Sequence, residues 1–248
     1  MILFIAILLG STPALAWLFF YLKEDIHPEP WKKIARTFIS GIAISPVVLL
    51  LENLFSKPFF SLNPSWTLLL AFIIAALIEE GFKFLAALPM EYDTALNEPI
   101  DAMVYAIAAS LGFASAENIL ITLREVSTAF TPLQSFALAN ISSLSGAVEI
   151  LTIRFIGATF LHTLATGILG YYWALTIRDG HKRHLIKGFA LAVGLHTSFN
   201  YLIIYYGGSS FLYTSSVLLF AAFFLLHDFE VLKSKKESSQ KLPNSYIK

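Results

Sequence analysis

The stretch WTLLLAFIIAALIEEGFKFLAALPM, residues Trp66–Met90, decides how the chain folds. A helix needs about 20 apolar residues to cross the hydrocarbon of a bilayer, and this run is long enough. Yet Glu79, Glu80 and Lys83 lie well inside it. An ionisable group in hydrocarbon costs about 2.5–3.5 kcal/mol even on the mildest scale, so such groups face a cavity, a partner or a metal. The stretch therefore predicts a transmembrane helix with a polar site built into it.

The rest of the 248 residues agrees. Charged residues make up 14% and hydrophobic ones 56%, against about 25% charged in a soluble domain. Mean hydropathy is +0.69. The 17 basic and 17 acidic side chains sum to zero, which excludes a strongly basic nucleic-acid binder and an acidic disordered chain. The absence of cysteine excludes disulfides, thiolate metal sites and a Cys nucleophile. Six further apolar stretches follow the pattern: Ile2–Leu22, Ala35–Phe55, Ile100–Ile121, Thr152–Ile177, Leu185–Tyr206 and Ser209–Leu226. Their connections carry turn residues, as in His27–Pro30 and Ser61–Pro64. The expected fold is all-α, a polytopic transmembrane bundle of about seven spans. It forms one domain over residues 1–230, followed by a polar, Lys-rich tail at 231–248. Thr131–Glu149, with Gln134, Asn140 and Glu149, is expected to be an external loop or a surface-lying helix.

Seven spans sort the cations. Lys23, Lys32, Lys33 and Arg36 fall on the same side as Arg178, Lys182, Arg183 and Lys187, and as Lys233, Lys235, Lys236, Lys241 and Lys248. The other side keeps Lys57 and Arg124. The positive-inside rule then places the N-terminus outside and the C-terminus in the cytoplasm, in the plasma membrane of a prokaryote. A signal peptide ending at Ala14-Leu15-Ala16 is the alternative for the N-terminus. The missing basic n-region, an apolar run of ~20 residues and the positive charge after it favour an N-out anchor.

Two cations and several carboxylates remain within or near spans. Lys83 stands at i+4 from Glu79 and i+3 from Glu80, so it can pair with either. One ammonium cannot neutralise both carboxylates, and the excess calls for a metal, a shared proton or a more distant base. Span Ile100–Ile121 is dense in alanine, serine and glycine, which allows close helix contact and predicts a central helix. Glu117 and Asn118 then point into protein. His162 has Thr166 one turn on, and His196 has Asn200. At ~1.5 Å per residue, Glu79, Glu80 and His196 come out roughly 15 Å deep, His162 near ~20 Å and Glu117 near ~25 Å, so all can share one layer. Arg154 and Lys83 also admit a plain reading as interhelical ion pairs. Glu52 and Glu149 are expected at interfacial span ends, and Asp101 at the cytoplasmic mouth of its span as a cap or ion pair.

Carboxylates and imidazoles from four helices suit a divalent metal, Zn²⁺ above all, which accepts N and O ligands and keeps a position for water. A spare Glu serves as general base, and an Asn can donate to an oxyanion. A metal-free version, with one glutamate activating water, fits the same residues. The sequence has neither His-Glu-x-x-His nor Gly-x-Ser-x-Gly.

Glu79-Glu80-Gly81-Phe82-Lys83 resembles the EExxK motif of the PrsW family of intramembrane proteases. Asn97–Tyr105 and Gly112–Asn118 look like that family's EPxDxxxY and GFxxxEN motifs. Arg154 with His162–Gly167, then His196–Asn200, is similar to its two later His motifs. The likeness runs in order from about residue 75 to 200. The related CAAX prenyl proteases and bacteriocin-processing enzymes usually have Arg after the Glu pair and His in the second motif, so Lys83 and Glu117 side with PrsW. The resemblance implies a metal-dependent protease cutting a membrane-embedded or membrane-proximal protein; an anti-sigma-factor-like substrate follows from it alone. It makes Glu79, Glu80, Glu117 and Asn200 the catalytic candidates, Glu80, His162 and His196 the metal ligands, and Lys83, Asn118, Arg154 and Asp101 the supports. Two rival functions remain: a proton-coupled transporter, since buried Glu and His also form proton relays, although no inverted repeat is visible; and a non-catalytic membrane scaffold.

Overall fold

The computed structural model describes residues 2–25, 27–56, 59, 65–128, 136–207 and 210–236. They form helices α1 (Ile2–Leu22), α2 (Trp31–Phe55), α3 (Ser65–Ala87), α4 (Pro99–Thr128), α5 (Phe136–Ile156), α6 (Ala158–Asp179), α7 (Arg183–Tyr206) and α8 (Ser210–Lys236), with a 3₁₀ turn at Leu88–Tyr92 after α3. Among the described residues there is no strand. This is what a bilayer requires of a chain that crosses it, because each helix satisfies its own backbone polar groups. Six segments are apolar and long enough to cross a membrane. Helix α3 matches them in length, its apolar run interrupted by Glu79, Glu80 and Lys83. The chain is a multi-pass integral membrane protein.

Three boundaries differ from the expectation. The stretch Thr131–Glu149 is helical from Phe136 onward as part of α5; residues 131–135 lie outside the described residues, as does the turn Ser61–Pro64. The single span expected at Thr152–Ile177 is two helices, broken at Gly157, whose φ of −95° and ψ of −100° leave the helical region. Hydropathy runs through that break without a dip, so only glycine's freedom marks it. Arg154 consequently sits on α5 and not on the helix that carries His162. Finally, α8 continues to Lys236, so the expected tail is helical at its start, and residues 237–248 lie outside the described residues.

Helix α4 is the centre of the bundle. Its apolar window is 72% buried, against 28–39% for the other candidate spans. Small residues permit this. A Cβ added at Gly112 would lie 1.9 Å from the Phe38 carbonyl oxygen of α2, and one added at Gly41 would lie 1.9 Å from the Ala109 carbonyl oxygen of α4. The two backbones therefore touch, as small residues allow between membrane helices. On its other sides α4 meets α1, with Ser115 Oγ 3.2 Å from Ser11 Oγ, and α6, where Ser110 Oγ donates to the His162 carbonyl at 2.7 Å.

One end of the bundle is pinned by polar contacts. Lys233 near the end of α8 pairs with Glu24 after α1 at 2.6 Å, and Lys33 at the start of α2 pairs with Asp93 after α3. His27 pairs with Glu98 at 3.3 Å, and Trp173 late in α6 donates to Glu91 at 3.1 Å. The ends of α1, α3, α6 and α8 and the starts of α2 and α4 thus gather at one end, the alternation that seven crossings produce.

Replacing Gly112 by Ala is expected to force α2 and α4 apart. Overpacking of this kind costs about 1–3 kcal/mol, to be read as a lower unfolding midpoint in detergent. Gly194→Ala, where an added methyl would meet nothing within 4 Å, should leave the midpoint unchanged or raise it.

Candidate active site

Lys83 is the hub. Its side chain is fully buried, and an ammonium buried without partners would be prohibitively costly. It therefore donates in three directions: to Glu79 Oε2 at 2.8 Å, to Glu80 Oε1 at 2.9 Å and to His162 Nδ1 at 2.8 Å. Its Nζ also lies 4.5 Å from the centre of the Phe113 ring, a cation–π contact strengthened by desolvation. The helical spacing of 79, 80 and 83 makes the first two bonds local; the third ties α3 to α6.

An ammonium only donates, so His162 Nδ1 must accept and its proton sits on Nε2. That N–H donates to Glu117 Oε2 on α4 at 2.8 Å. Glu117 Oε2 also receives Arg154 Nη2 at 3.1 Å, and Arg154 Nε donates to Asn118 Oδ1 at 2.5 Å. Asn118 in turn donates to Thr159 Oγ1 at 3.1 Å. On the other side, His196 of α7 donates through Nδ1 to Glu80 Oε1 at 2.8 Å, which leaves the lone pair of a neutral ring on Nε2, 3.7 Å from Glu79 Oε1. The two imidazoles lie edge to face with centres 5.3 Å apart.

The two glutamates of α3 are held differently. Glu80 is fully buried and bonded on both oxygens: Lys83 and His196 on Oε1, and the Thr166 hydroxyl on Oε2 at 2.7 Å. Glu79 keeps a small exposed fraction of 6%; Lys83 occupies its Oε2, the His196 ring stands 3.7 Å from its Oε1, and the Glu52 carboxyl lies beside it. Glu79, Glu80, His162 and His196 each offer one ligand atom, and these four atoms all lie within 4.8 Å of one another.

The sequence-predicted residues divide accordingly. Glu79, Glu80, Lys83, His162 and His196 form one cluster, and Glu117 joins it through His162. Arg154 and Asn118 stand one step further out. Asn200 is half-buried one turn beyond His196, and among the described residues no hydrogen bond ties it to the cluster. Asp101 lies elsewhere, capping the start of α4 through the Asn97 and Glu98 amides. Thr166 bonds Glu80 and not His162, the residue it follows by one turn. Glu52, expected at an interfacial span end, brings a further carboxyl beside Glu79. Its place near the end of α2 concealed it, because the end of α2 and the middle of α3 meet only in the folded bundle.

The charges do not balance. Glu52, Glu79, Glu80 and Glu117 face two cations, Lys83 and Arg154, an excess of two carboxyls. Two protons or one divalent ion would neutralise it.

The sequence model described as the PrsW family intramembrane metalloprotease matches residues 29–227. Among curated relatives, the protein named Protease PrsW of Oceanobacillus iheyensis is 30% identical over 198 residues, covering 78% of this chain and 80% of its own. That of Geobacillus kaustophilus is 29% identical over 199 residues, 79% and 78% of the two chains. That of Bacillus subtilis is 29% identical over 120 residues, 48% and 54%. No solved structure matches the chain.

Lys83→Met should be among the most damaging single substitutions. It leaves buried carboxylates uncompensated, a loss of about 3–5 kcal/mol, measurable as a collapse of the unfolding midpoint in detergent. Glu79→Gln, which keeps shape and lowers the excess negative charge, should unfold near the wild-type midpoint.

Proposed function

This chain belongs to the PrsW family of intramembrane metalloproteases, and it is a membrane protease; from that premise we propose that it hydrolyses a peptide bond of a membrane-embedded or membrane-proximal protein, with water activated at Glu79. The observation that carries the reading is the convergence of Glu79, Glu80, His162 and His196, all buried, from three helices onto one point.

The hydrogen bonding separates the roles of the two glutamates. Glu80 accepts from Lys83, His196 and Thr166 across both oxygens, so it anchors and does not move protons. Glu79 has an oxygen to spare and is the general base. It takes a proton from water, the hydroxyl oxygen bonds to the scissile carbonyl carbon, the carbon–nitrogen bond breaks, and Glu79 returns the proton to the leaving nitrogen. Asn200, one helical turn from His196, is the donor for the developing oxyanion. Glu117 fixes the His162 tautomer, as carboxylates do for imidazoles that must present one particular nitrogen.

The donor set fits a divalent metal in type and in charge. Glu80, His162 and His196 would hold it, two nitrogens and a carboxylate being zinc-like ligands, with the Lys83 ammonium giving up the His162 Nδ1 lone pair that it holds here, and the excess of two carboxyls equals its charge. When bound, such an ion supplies a lowered water pKa and a polarised carbonyl. A second reading keeps the same residues without metal. It is favoured by Lys83, whose ammonium already bonds three of the four donors and can hold the pair of glutamates by itself.

The basic end of the bundle, with Lys23, Lys33 and Lys233, is assigned to the cytoplasm by the positive-inside rule. The test is cleavage of co-expressed single-span membrane proteins, anti-sigma factors among them. Glu79→Gln should lower cleavage about 100- to 10,000-fold, the usual worth of a general base. Full activity in Glu79→Gln and His196→Ala would remove the reading. Metal content of purified wild type, set beside Glu80→Gln and His162→Ala, decides between the two versions: stoichiometric metal lost in the variants supports the first, and none in an active enzyme supports the second.

A further inference from the structure

A second carboxylate cluster lies away from the active site, where α1 ends and α4 begins. Asp25 and Glu29 come from the α1–α2 connection and Asp101 from the first turn of α4, and one oxygen of each lies within 4.8 Å of the others. Acidic residues often gather at loops without consequence, but two features set this group apart. Asp25 and Asp101 are buried, with 5% and 1% of their surface exposed. Each also uses one oxygen on backbone amides and leaves the other unpartnered. Asp25 Oδ1 accepts from the His27 amide at 2.9 Å, and Asp101 Oδ2 accepts from the Asn97 and Glu98 amides at 2.9 and 2.7 Å. Asp25 Oδ2 and Asp101 Oδ1 have no hydrogen-bond partner, and among the described residues they are the only buried side-chain oxygens or nitrogens in that state.

Two orphaned oxygens in one cluster are hard to explain as packing. A buried polar atom left without a partner costs about 1–3 kcal/mol, more when charged. The third carboxylate, Glu29, receives the Tyr105 hydroxyl on Oε2. Among the described residues no Lys or Arg pairs with Asp25, Glu29 or Asp101; at this end Lys33 pairs with Asp93 and Lys233 with Glu24. Burial first, and then repulsion from Glu98, pushes the Asp25 carboxyl above the ordinary carboxylate range, although the His27 amide opposes the shift. Glu29 is likewise raised, chiefly by burial. The group lacks a positive charge.

We propose that Asp25, Glu29 and Asp101 bind a hard divalent cation, Ca²⁺ or Mg²⁺, which clamps the α1–α2 connection onto the start of α4. The ligands are all oxygen, the chemistry that Ca²⁺ and Mg²⁺ take and that softer metals do not select. Glu29 is half-buried and borders the groove between α1 and α2 with Pro28 and Trp31. The ion is separate from the one the active site would hold, in position and in ligand type.

The test uses the full chain purified in detergent and stripped with EDTA. Tb³⁺ is titrated in while tyrosine is excited, since Tyr105 touches the Glu29 ligand and can sensitise the bound ion. Emission that saturates, is displaced by CaCl₂ or MgCl₂, survives Glu80→Gln with His196→Ala and disappears in Asp25→Asn with Asp101→Asn supports the site; emission unchanged in the Asn variant overturns it. Wild-type thermal unfolding gives an answer that needs no variant. A midpoint raised by several degrees by CaCl₂ or MgCl₂ but not by KCl at equal ionic strength supports the proposal. A midpoint that ignores divalent ions and rises only on acidification overturns it, because the carboxyls then share protons.

Discussion

The structure depends on one buried ammonium. Lys83 stands among three acceptors that would otherwise lack a donor, and its three N–H bonds reach two carboxylates on its own helix and an imidazole on another. Burying a charge costs several kcal/mol, and only a full set of partners offsets that. The partners are therefore not free to vary in geometry. Because the ammonium cannot accept, His162 must present a lone pair to it and a proton to Glu117. Because Glu80 is tied on both oxygens, Glu79 is the carboxylate left with capacity. A single cation thus sets a tautomer, ranks two adjacent glutamates and joins α3 to α6.

That arrangement needs a scaffold that holds α3, α4, α6 and α7 to within a few tenths of an ångström, and α4 provides it. Its alanines and glycines let α2 approach to backbone contact at Gly41 and Gly112. The same closeness delivers Glu52 of α2 to the edge of the cluster. In lipid, apolar helices gain nothing by the hydrophobic effect from finding one another, so close van der Waals contact and interhelical hydrogen bonds must hold them. Both are concentrated on α4. It carries Glu117 and Asn118 in its middle and Asp101 and Tyr105 at its start, about 24 Å apart at 1.5 Å per residue for the 16 steps from Asp101 to Glu117.

Much of this was legible in the sequence, for reasons that are local. The i+3 and i+4 offsets from Glu80 and Glu79 to Lys83 foretell their pairing, because helix geometry sets those distances. The small-residue run foretells a buried α4. Depth counted along spans puts the glutamates and histidines in one layer because a bilayer forces helices into near-parallel register. What was not legible is tertiary. Nothing in one sequence says that Thr166 turns to Glu80 instead of the His162 it follows, since both lie within a side chain's reach of α6. Glu52 looked interfacial because span ends usually are; the tight α2–α4 contact places it against Glu79. Gly157 escaped notice because hydropathy is blind to a change of backbone dihedrals between two apolar segments.

The break at Gly157 bears on how hydrolysis can occur at membrane depth. Non-helical backbone is tolerated there only where it is buried in protein or lines a water-filled cavity. Here the chain does both jobs of satisfying itself, since the Gly157 amide donates to Ile153 and its carbonyl accepts from Leu161. Arg154, before the break, and His162, after it, meet on the same Glu117 carboxylate. The side chains gathered there are also the least enclosed of the cluster: Glu117 is 30% exposed and Arg154 19%, against 0% for Lys83 and Glu80. This polar edge beside the break at Gly157 is the most exposed part of the cluster.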